Sequence, residues 1–473
     1  MGSTELAVTP APHGRRLSGR EALNRALAPS SVAVIGASAD PLKLGHMVLK
    51  TLANSGFEGK IYPINPAAAP ILGIPTCASL ADVSGHVDVA VVIVPAHQLF
   101  AALSACAAKD VALVAAITSG FAEAGNEGRQ LQQRLESLLR TVPFRLLGPN
   151  CEGYVVPGSK TFVTFSMMTH GLKSGPVGIV GQSGAITGTL SYRLNKMGVG
   201  VRALISTGNE TDLTAVEALE WFADDPQTTT IIAYLEQIRE PARFIAAARR
   251  VCGLKAIVIE KPGKGNATME SVTTHTGAIA GDDRVAEGVF EELRIVRARD
   301  HTTAVDAAVA LSLGKRLGGL RVGILSVAGG LAVEACDLFE ARGFEVPRFS
   351  DELQQKIRAS LPYFAAARNP VDLTGAALSS PALFRQAVDA VVQGDSVDAV
   401  IVIVTFSQQP AFAEELMMAA KATDKPVLIV WTAPDTISPA PLAVFKKQSF
   451  PIFDAPLRAL TALSAIARYS GLQ

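Results

Sequence analysis

The chain has 473 residues, with 43 Lys plus Arg against 43 Asp plus Glu and no formal net charge at pH 7. That balance supplies no global field to draw in a nucleic acid or an anionic membrane, and no uninterrupted apolar run reaches the roughly 20 residues a membrane helix needs. The length is that of about two to four domains, each with room for a sizeable core.

Residues 1–28 are polar, carry Pro, Gly and Arg, and lack the roughly 7–15-residue apolar core of a signal peptide, so they are read as a flexible tail. Beyond them, Val/Ile-rich runs alternate with longer amphipathic stretches. Strands are expected at 31–35, 60–64, 87–94, 111–117, 177–180, 201–206, 230–235, 256–259, 322–326, 399–404 and 426–431. The runs are continuous rather than alternating, as in strands covered on both faces. Helical spacing between most of them points to parallel sheets of right-handed βαβ units. The irregular stretch 159–176 and the Gly318-Gly319 pair divide the chain at 29–158, 159–318 and 319–473, three consecutive α/β domains.

In such sheets a ligand lies beyond the carboxyl ends of the strands, so the residues after each run carry the information. The first run is followed by Gly36, Ala37 and Ser38, then Pro41, Lys43 and Gly45 before a helix. This turn is either an anion site, offering backbone N–H groups and a helix dipole to a phosphate, or only a tight βα turn. It is not GxGxxG, and Asn65-Pro66 stands where a dinucleotide site carries an acidic residue for the ribose, which argues against a nicotinamide-linked oxidoreductase. Val94-Pro95, Thr118-Ser119 and the GPNCEG stretch at 148–153 close the next runs with small or loop-forming residues, leaving room for an extended ligand. Cys151 has no basic partner nearby and is read as a packing residue rather than a nucleophile. The five cysteines lack CxxC or metal-ligand spacing, which points to a reducing cytoplasm and no metal.

The second domain opens with a strand followed by Gly181, Gln182, Ser183 and Gly184. Its G-Q-S-G is not the G-x-S-x-G elbow of a hydrolase; it reads as a helix N-terminus aimed at an anion. The third domain repeats the device, with Gly329 and Gly330 opening a helix after Ser326. A helix expected at 282–293 would present Val285, Val289, Phe290 and Leu293 on one face. Before it, the stretch SVTTHTGAIAG at 271–281 sets His275 in a loop of small residues.

Taken in order, the Gly36 turn, Asn65-Pro66, GPNCEG, GQSGA from Gly181, ADDP at 223–226, YLE at 234–236, THTGAIAG at 274–281 and NPVDLTG at 369–375 carry a family pattern. The chain resembles the ADP-forming acyl-CoA synthetases, relatives of succinyl-CoA synthetase, over nearly everything from Pro29 onward. The resemblance implies an α/β chain: a Rossmann-like CoA-binding domain, then two flavodoxin-like, doubly wound domains. It implies that His275 is the phosphorylated His and Glu236 the carboxylate that orients it. Coenzyme A would lie on Gly36, Ala37, Ser38, Lys43, Asn65, Pro66, Val94, Pro95, Thr118 and Ser119, with Asn150 near the acyl and thiol end. Gln182, Ser183, Gly184, Gly329 and Gly330 would hold phosphate.

The implied reaction joins a carboxylic acid to CoA at the expense of ATP, through a phosphohistidine and an acyl phosphate, and the residue types suit it. A neutral imidazole is a good phosphoryl acceptor near pH 7, and an adjacent carboxylate stabilises the ring cation. The sequence holds no Walker motif and no ATP-grasp domain. ATP and Mg2+ are therefore implied on an ATP-grasp β-type partner, within a cytoplasmic oligomer that engages neither nucleic acid nor membrane. Two residues depart from the family pattern: Glu152, where an apolar residue or Pro is common, and Ala332, where Gly is usual. The alternative is a CoA- or acyl-CoA-binding regulatory or scaffold protein that has lost phosphotransfer; Ala332 speaks for it, and His275 with Glu236 against it.

Overall fold

The apolar runs form parallel strands in the structure, a computed structural model that describes residues 15–263, 265, 283–359, 361, 363 and 365–472. His275 and its loop lie outside the described residues. The chain divides into two units, Met1–Tyr192 with Gly200–Leu293, and Arg193–Val199 with Arg294–Gln473.

The first unit holds two sheets. In the first, β1 (Ser31–Ile35), β2 (Lys60–Ile64), β3 (Val89–Val92), β4 (Leu113–Ala116) and β5 (Arg145–Leu147) are parallel in the order β2-β1-β3-β4-β5. Every residue of β1, β3 and β4 is buried, which is why those segments read as unbroken apolar runs. Helices α1 (Gly19–Ala26), α2 (Leu44–Asn54), α3 (Ala96–Ala108) and α4 (Asn126–Leu139) accompany this sheet; α1, capped by Ser18 and burying Ala22, Leu23 and Ala26, corrects the reading of residues 1–28 as a flexible tail over this segment. Because the chain passes from β2 across β1 to β3, the strand order reverses between β1 and β3, and a crevice opens at their carboxyl ends. Gly36 sits there with φ +92°, and a side chain on it would collide with the Ile93 carbonyl oxygen.

The second sheet combines β6 (Tyr154–Val156), β7 (Thr161–Val163), β8 (Ser174–Gly181), β9 (Val201–Ser206), β10 (Thr230–Tyr234) and β11 (Ala256–Glu260), in the order β11-β10-β8-β9-β6-β7. Here the order reverses between β8 and β10, whose ends carry Gln182 and Glu236. β6 runs antiparallel to both β7 and β9, so the sheet is mixed, not wholly parallel. The stretch 159–176, expected to be irregular, contains β7 and the first residues of β8. A strand of three residues is too short to announce itself by periodicity.

In the second unit, β12 (Val296–Ala298) is followed by β13 (Val322–Ser326), β14 (Val371–Asp372), β15 (Ala399–Val404) and β16 (Val427–Trp431), the last four ordered β14-β13-β15-β16. Phe384, Phe412, Trp431 and Phe445 pack edge to face in its core, the arrangement the ring quadrupoles favour. The Asn369 side chain accepts from the Ile324 N–H and donates to the Val322 carbonyl, which fixes the NPVDLTG segment against β13. In the first unit the helix Asp283–Glu292 buries Phe290, but Val285 is 67% exposed. The apolar face expected from spacing is therefore only partly used.

Candidate active site

At the β1/β3 crevice, short bonds tie the expected CoA-binding residues together. Asn65 Nδ2 donates to the Ala37 carbonyl at 2.7 Å, and Asn65 Oδ1 accepts from the Ala67 N–H at 2.9 Å, an Asx turn that carries Pro66. Ser38 Oγ accepts from the Asp40 N–H at 3.1 Å, and the Ser38 carbonyl bonds His46 Nδ1 at 3.0 Å. Lys43 and Pro95 occupy the N-caps of α2 and α3. Thr118 Oγ1 accepts from the Val94 N–H and donates to the Val94 carbonyl at 2.8 Å, so the ends of β3 and β4 are stitched together. The side chains of Lys43, Pro66, Pro95 and Ser119 are exposed along this edge. These exposed residues lie at the carboxyl edge of a sheet whose strand ends are bonded to one another.

A cavity of about 330 Å³ within the first unit brings Ser119, Asn150, Cys151 and Glu152 of the first sheet's loops together with Gln182, Ser183, Gly184, Glu236 and Gln237 of the second. Its walls are held by buried polar bonds. Arg145 makes a bidentate pair with Asp212 at 2.9–3.0 Å, and Leu213 N–H donates to the Leu146 carbonyl, so the loop after β9 is pinned to β5. Asn150, with φ +56°, donates to Asn209 Oδ1; Asn209 in turn donates to Glu123 Oε2 at 2.6 Å and to Gln132 Oε1 at 3.1 Å. Burial tends to raise the Glu123 carboxyl, but bonds from Asn209 and from the Gly120 and Phe121 N–H groups outweigh it and hold it below the ordinary range.

Gln182 is the junction. Its Oε1 accepts from the Glu236 N–H at 2.7 Å and the Gln237 N–H at 3.0 Å, while its Nε2 donates to Glu210 Oε2 at 2.7 Å and the Gln237 carbonyl at 2.9 Å. Its backbone N–H also donates, to the Tyr234 carbonyl. A Gln amide has two donors and two acceptor sites, and all are used. Gln182 therefore holds the ends of β8, β9 and β10 together rather than offering its amide to a phosphate. Ser183 and Gly184 remain at the cavity wall, where α5 (Gly184–Lys196) begins and the first-turn N–H groups have no partner inside the helix. Glu236 faces the same cavity, and burial together with the Glu236 and Glu260 carboxylates holds the Tyr234 phenol protonated.

Glu210 was not foreseen from the sequence. It is buried with φ +53°, accepts from the Ala215 N–H and Thr207 Oγ1, and is pushed up to about 7 by burial, against its bonds to Ala215, Gln182 and Thr207 and the charge of Arg239. The one available signal is its place just beyond the β9 run. Cys151 is buried with its Sγ directed at the Ala116 carbonyl, and burial raises its thiol to about 12. It packs and is no nucleophile.

In the second unit, Gly329 and Gly330 open the helix Gly329–Ala341, and a Cβ on Gly329 would lie 3.0 Å from Asp372 Oδ2. A carboxylate already stands beside that helix end. Ala332 is 2% exposed, so its methyl is enclosed among core groups. Among the described residues no group of three His, Cys, Asp or Glu is arranged to hold a metal ion, and no helix is long and apolar enough to cross a membrane.

Residues 30–157 match the CoA binding domain, and 174–311 the succinyl-CoA ligase like flavodoxin domain. The α subunit of ADP-forming acetate–CoA ligase I of Pyrococcus furiosus is 34% identical over 451 residues, 93% of this chain and 96% of that protein. The α subunit of ligase II of the same organism is 30% identical, with 93% and 96% covered. The structure of an acetyl-coenzyme A synthetase 1 of Ca. Korarchaeum cryptofilum, in complex with phosphate and ADP, superposes with a TM-score of 0.85 at 32% identity, covering 95% of this chain and 97% of that one.

Proposed function

Because the chain belongs to the ADP-forming acyl-CoA synthetases, as an α-type subunit that binds CoA and works with other subunits, we propose the following division of labour. CoA lies along the groove formed by Gly36, Ala37, Ser38, Lys43, Asn65, Pro66, Val94, Pro95, Thr118 and Ser119, with its thiol reaching the cavity at Asn150. His275 brings a phosphoryl group to the same cavity, beside Ser183, Gly184 and Glu236. The substrate carboxylate oxygen attacks phosphorus, the N–P bond breaks, and the imidazole leaves neutral. The CoA thiol, losing its proton, then attacks the acyl carbonyl, the C–O bond to phosphate breaks, and inorganic phosphate departs with the thioester left behind. The first-turn N–H groups of α5 stabilise the charge on the phosphoryl oxygens, and Glu236 stabilises the imidazolium while the N–P bond exists.

ATP and Mg2+ belong to an ATP-grasp β-type partner that phosphorylates His275. The functional modules are residues 29–158, 159–318 and 319–473, with Gly329 and Gly330 opening a phosphate-binding helix of the third. Five free cysteines suit a reducing cytoplasm. The observation that carries this reading is the cavity of about 330 Å³ in which Ser119 and Asn150, from the CoA side, meet Ser183, Gly184 and Glu236. The test is to supply an ATP-grasp subunit, ATP, CoA and a short monocarboxylic acid and to measure thioester and ADP. They are expected in equal amounts, with both lost in His275→Ala. CoA binding without thioester formation, with a partner proven competent on another α subunit, would favour the regulatory alternative.

A further inference from the structure

The cavity contains a group that the reaction above does not use. Glu152 lies in its wall, immediately after Cys151 in GPNCEG, with its N–H donating to Ser206 Oγ at 3.1 Å. Its Cγ is so close to Gly184 that any Cβ at 184 would collide with it. The side chain is thus laid over the first residue of α5, and only glycine at 184 leaves room for it. Burial holds its carboxyl above the ordinary range, offset in part by the neighbouring Ser166 hydroxyl.

Two carboxylates, Glu152 and Glu236, line this cavity, and among the described residues no Lys, Arg or His does. The positive pole available is the start of α5, worth about half an elementary charge. That pole is committed to one anion, the phosphoryl group or the reacting carboxylate. At about 330 Å³ the cavity is at the small end of ligand pockets, on the order of 9 Å across, so a second charge on the substrate lies near one of the two carboxylates wherever it is placed.

We infer that Glu152 is a specificity-determining residue of the acid pocket. It restricts the pocket to monocarboxylic acids, favours tails that end in a hydroxyl or ammonium donor, and excludes dicarboxylic acids. This rests on the acyl-CoA synthetase reading of the same cavity. The carboxylate accepts a hydrogen bond from a donating tail, and repels a second carboxylate through a site with little water to screen it.

Four-carbon acids that differ only at the far end test this: butanoate, 4-hydroxybutanoate, 4-aminobutanoate and succinate. The readout is kcat/KM for thioester formation by the complete complex, each value taken relative to butanoate in the same protein. For the unaltered chain, succinate is expected to fall below butanoate by on the order of 100-fold, with the hydroxy and amino acids at or above butanoate. Glu152→Gln, nearly isosteric, should narrow the succinate deficit by at least about tenfold, and Glu152→Leu should erase the preference for donor tails. Relative values that stay the same in both variants, with phosphate still labelling His275, overturn the inference and leave the ligase reading intact. If no acid gives thioester and no label reaches His275, both fall together.

Discussion

Truncating Gln182 to Ala removes four side-chain hydrogen bonds at once, to Glu210 Oε2, the Gln237 carbonyl, and the N–H groups of Glu236 and Gln237. A net value of about 1 kcal/mol each gives a loss on the order of 3–4 kcal/mol, with the buried Glu210 bond at the upper end and the half-buried amides partly rescued by water. The loss should depend on pH. Burial raises Glu210 from an ordinary 4.5 to about 7 in the folded chain, so between those values the folded state holds a proton that the unfolded state has released. The contribution of Glu210 to stability is thus largest below 4.5, falls as pH rises, and is lowest above about 7. Removing Gln182, which favours the ionised form, raises the carboxyl further and deepens the loss at high pH. Urea unfolding at pH 5 and pH 8 should show a shift in midpoint at constant slope, about 2 kcal/mol at pH 5 and 3–4 kcal/mol at pH 8. A deficit below about 1 kcal/mol at pH 8, or one equal at both pH values, would refute the assigned network.

Other residues give sharper single answers. Arg145→Met removes the bidentate partner of Asp212 but leaves it Arg16 at 2.6 Å and the Leu146 N–H at 2.8 Å, so it should cost about 1–3 kcal/mol, read by thermal or urea unfolding; no measurable loss would place the loop after β9 elsewhere. Gly36→Ala puts a Cβ into the Ile93 carbonyl at φ +92°, so CoA binding measured by calorimetry should weaken by at least about tenfold, since the β1 turn must shift. In the native chain at pH 8, Cys106 and Cys151, both pushed up to about 12 by burial, should resist iodoacetamide while the half-buried Cys77 reacts, as mass spectrometry would show.

Long, doubly covered strands were legible from the sequence because burial on both faces leaves no polar interruption. The observed bounds of β1, β13 and β15, buried at every residue, coincide with their apolar runs. β6 and β7 escaped because three residues carry no period, and because their place is set by antiparallel pairing with β9, a long-range contact. Val285 misled because helical spacing identifies an apolar stripe without saying what will cover it. The same limit applies at the site. The strand-end residues Ser119, Asn150, Ser183, Gly184 and Glu236 could be picked out by position, and they do share one cavity. Gln182 was picked out as well, but for phosphate. Its role as a clamp depends on three strand ends meeting, as does the burial of Glu210, and neither relation is local in the chain.

The central claim, a phosphoryl relay through His275, is tested most directly by incubating the chain and an ATP-grasp partner with γ-labelled ATP in the absence of acid and CoA. The account predicts acid-labile, base-stable phosphate on His275, none on His275→Ala, and discharge of the label into free phosphate when acid and CoA are added together. A wild-type chain that stays unlabelled beside a competent partner, or label that persists through complete thioester turnover, would contradict it.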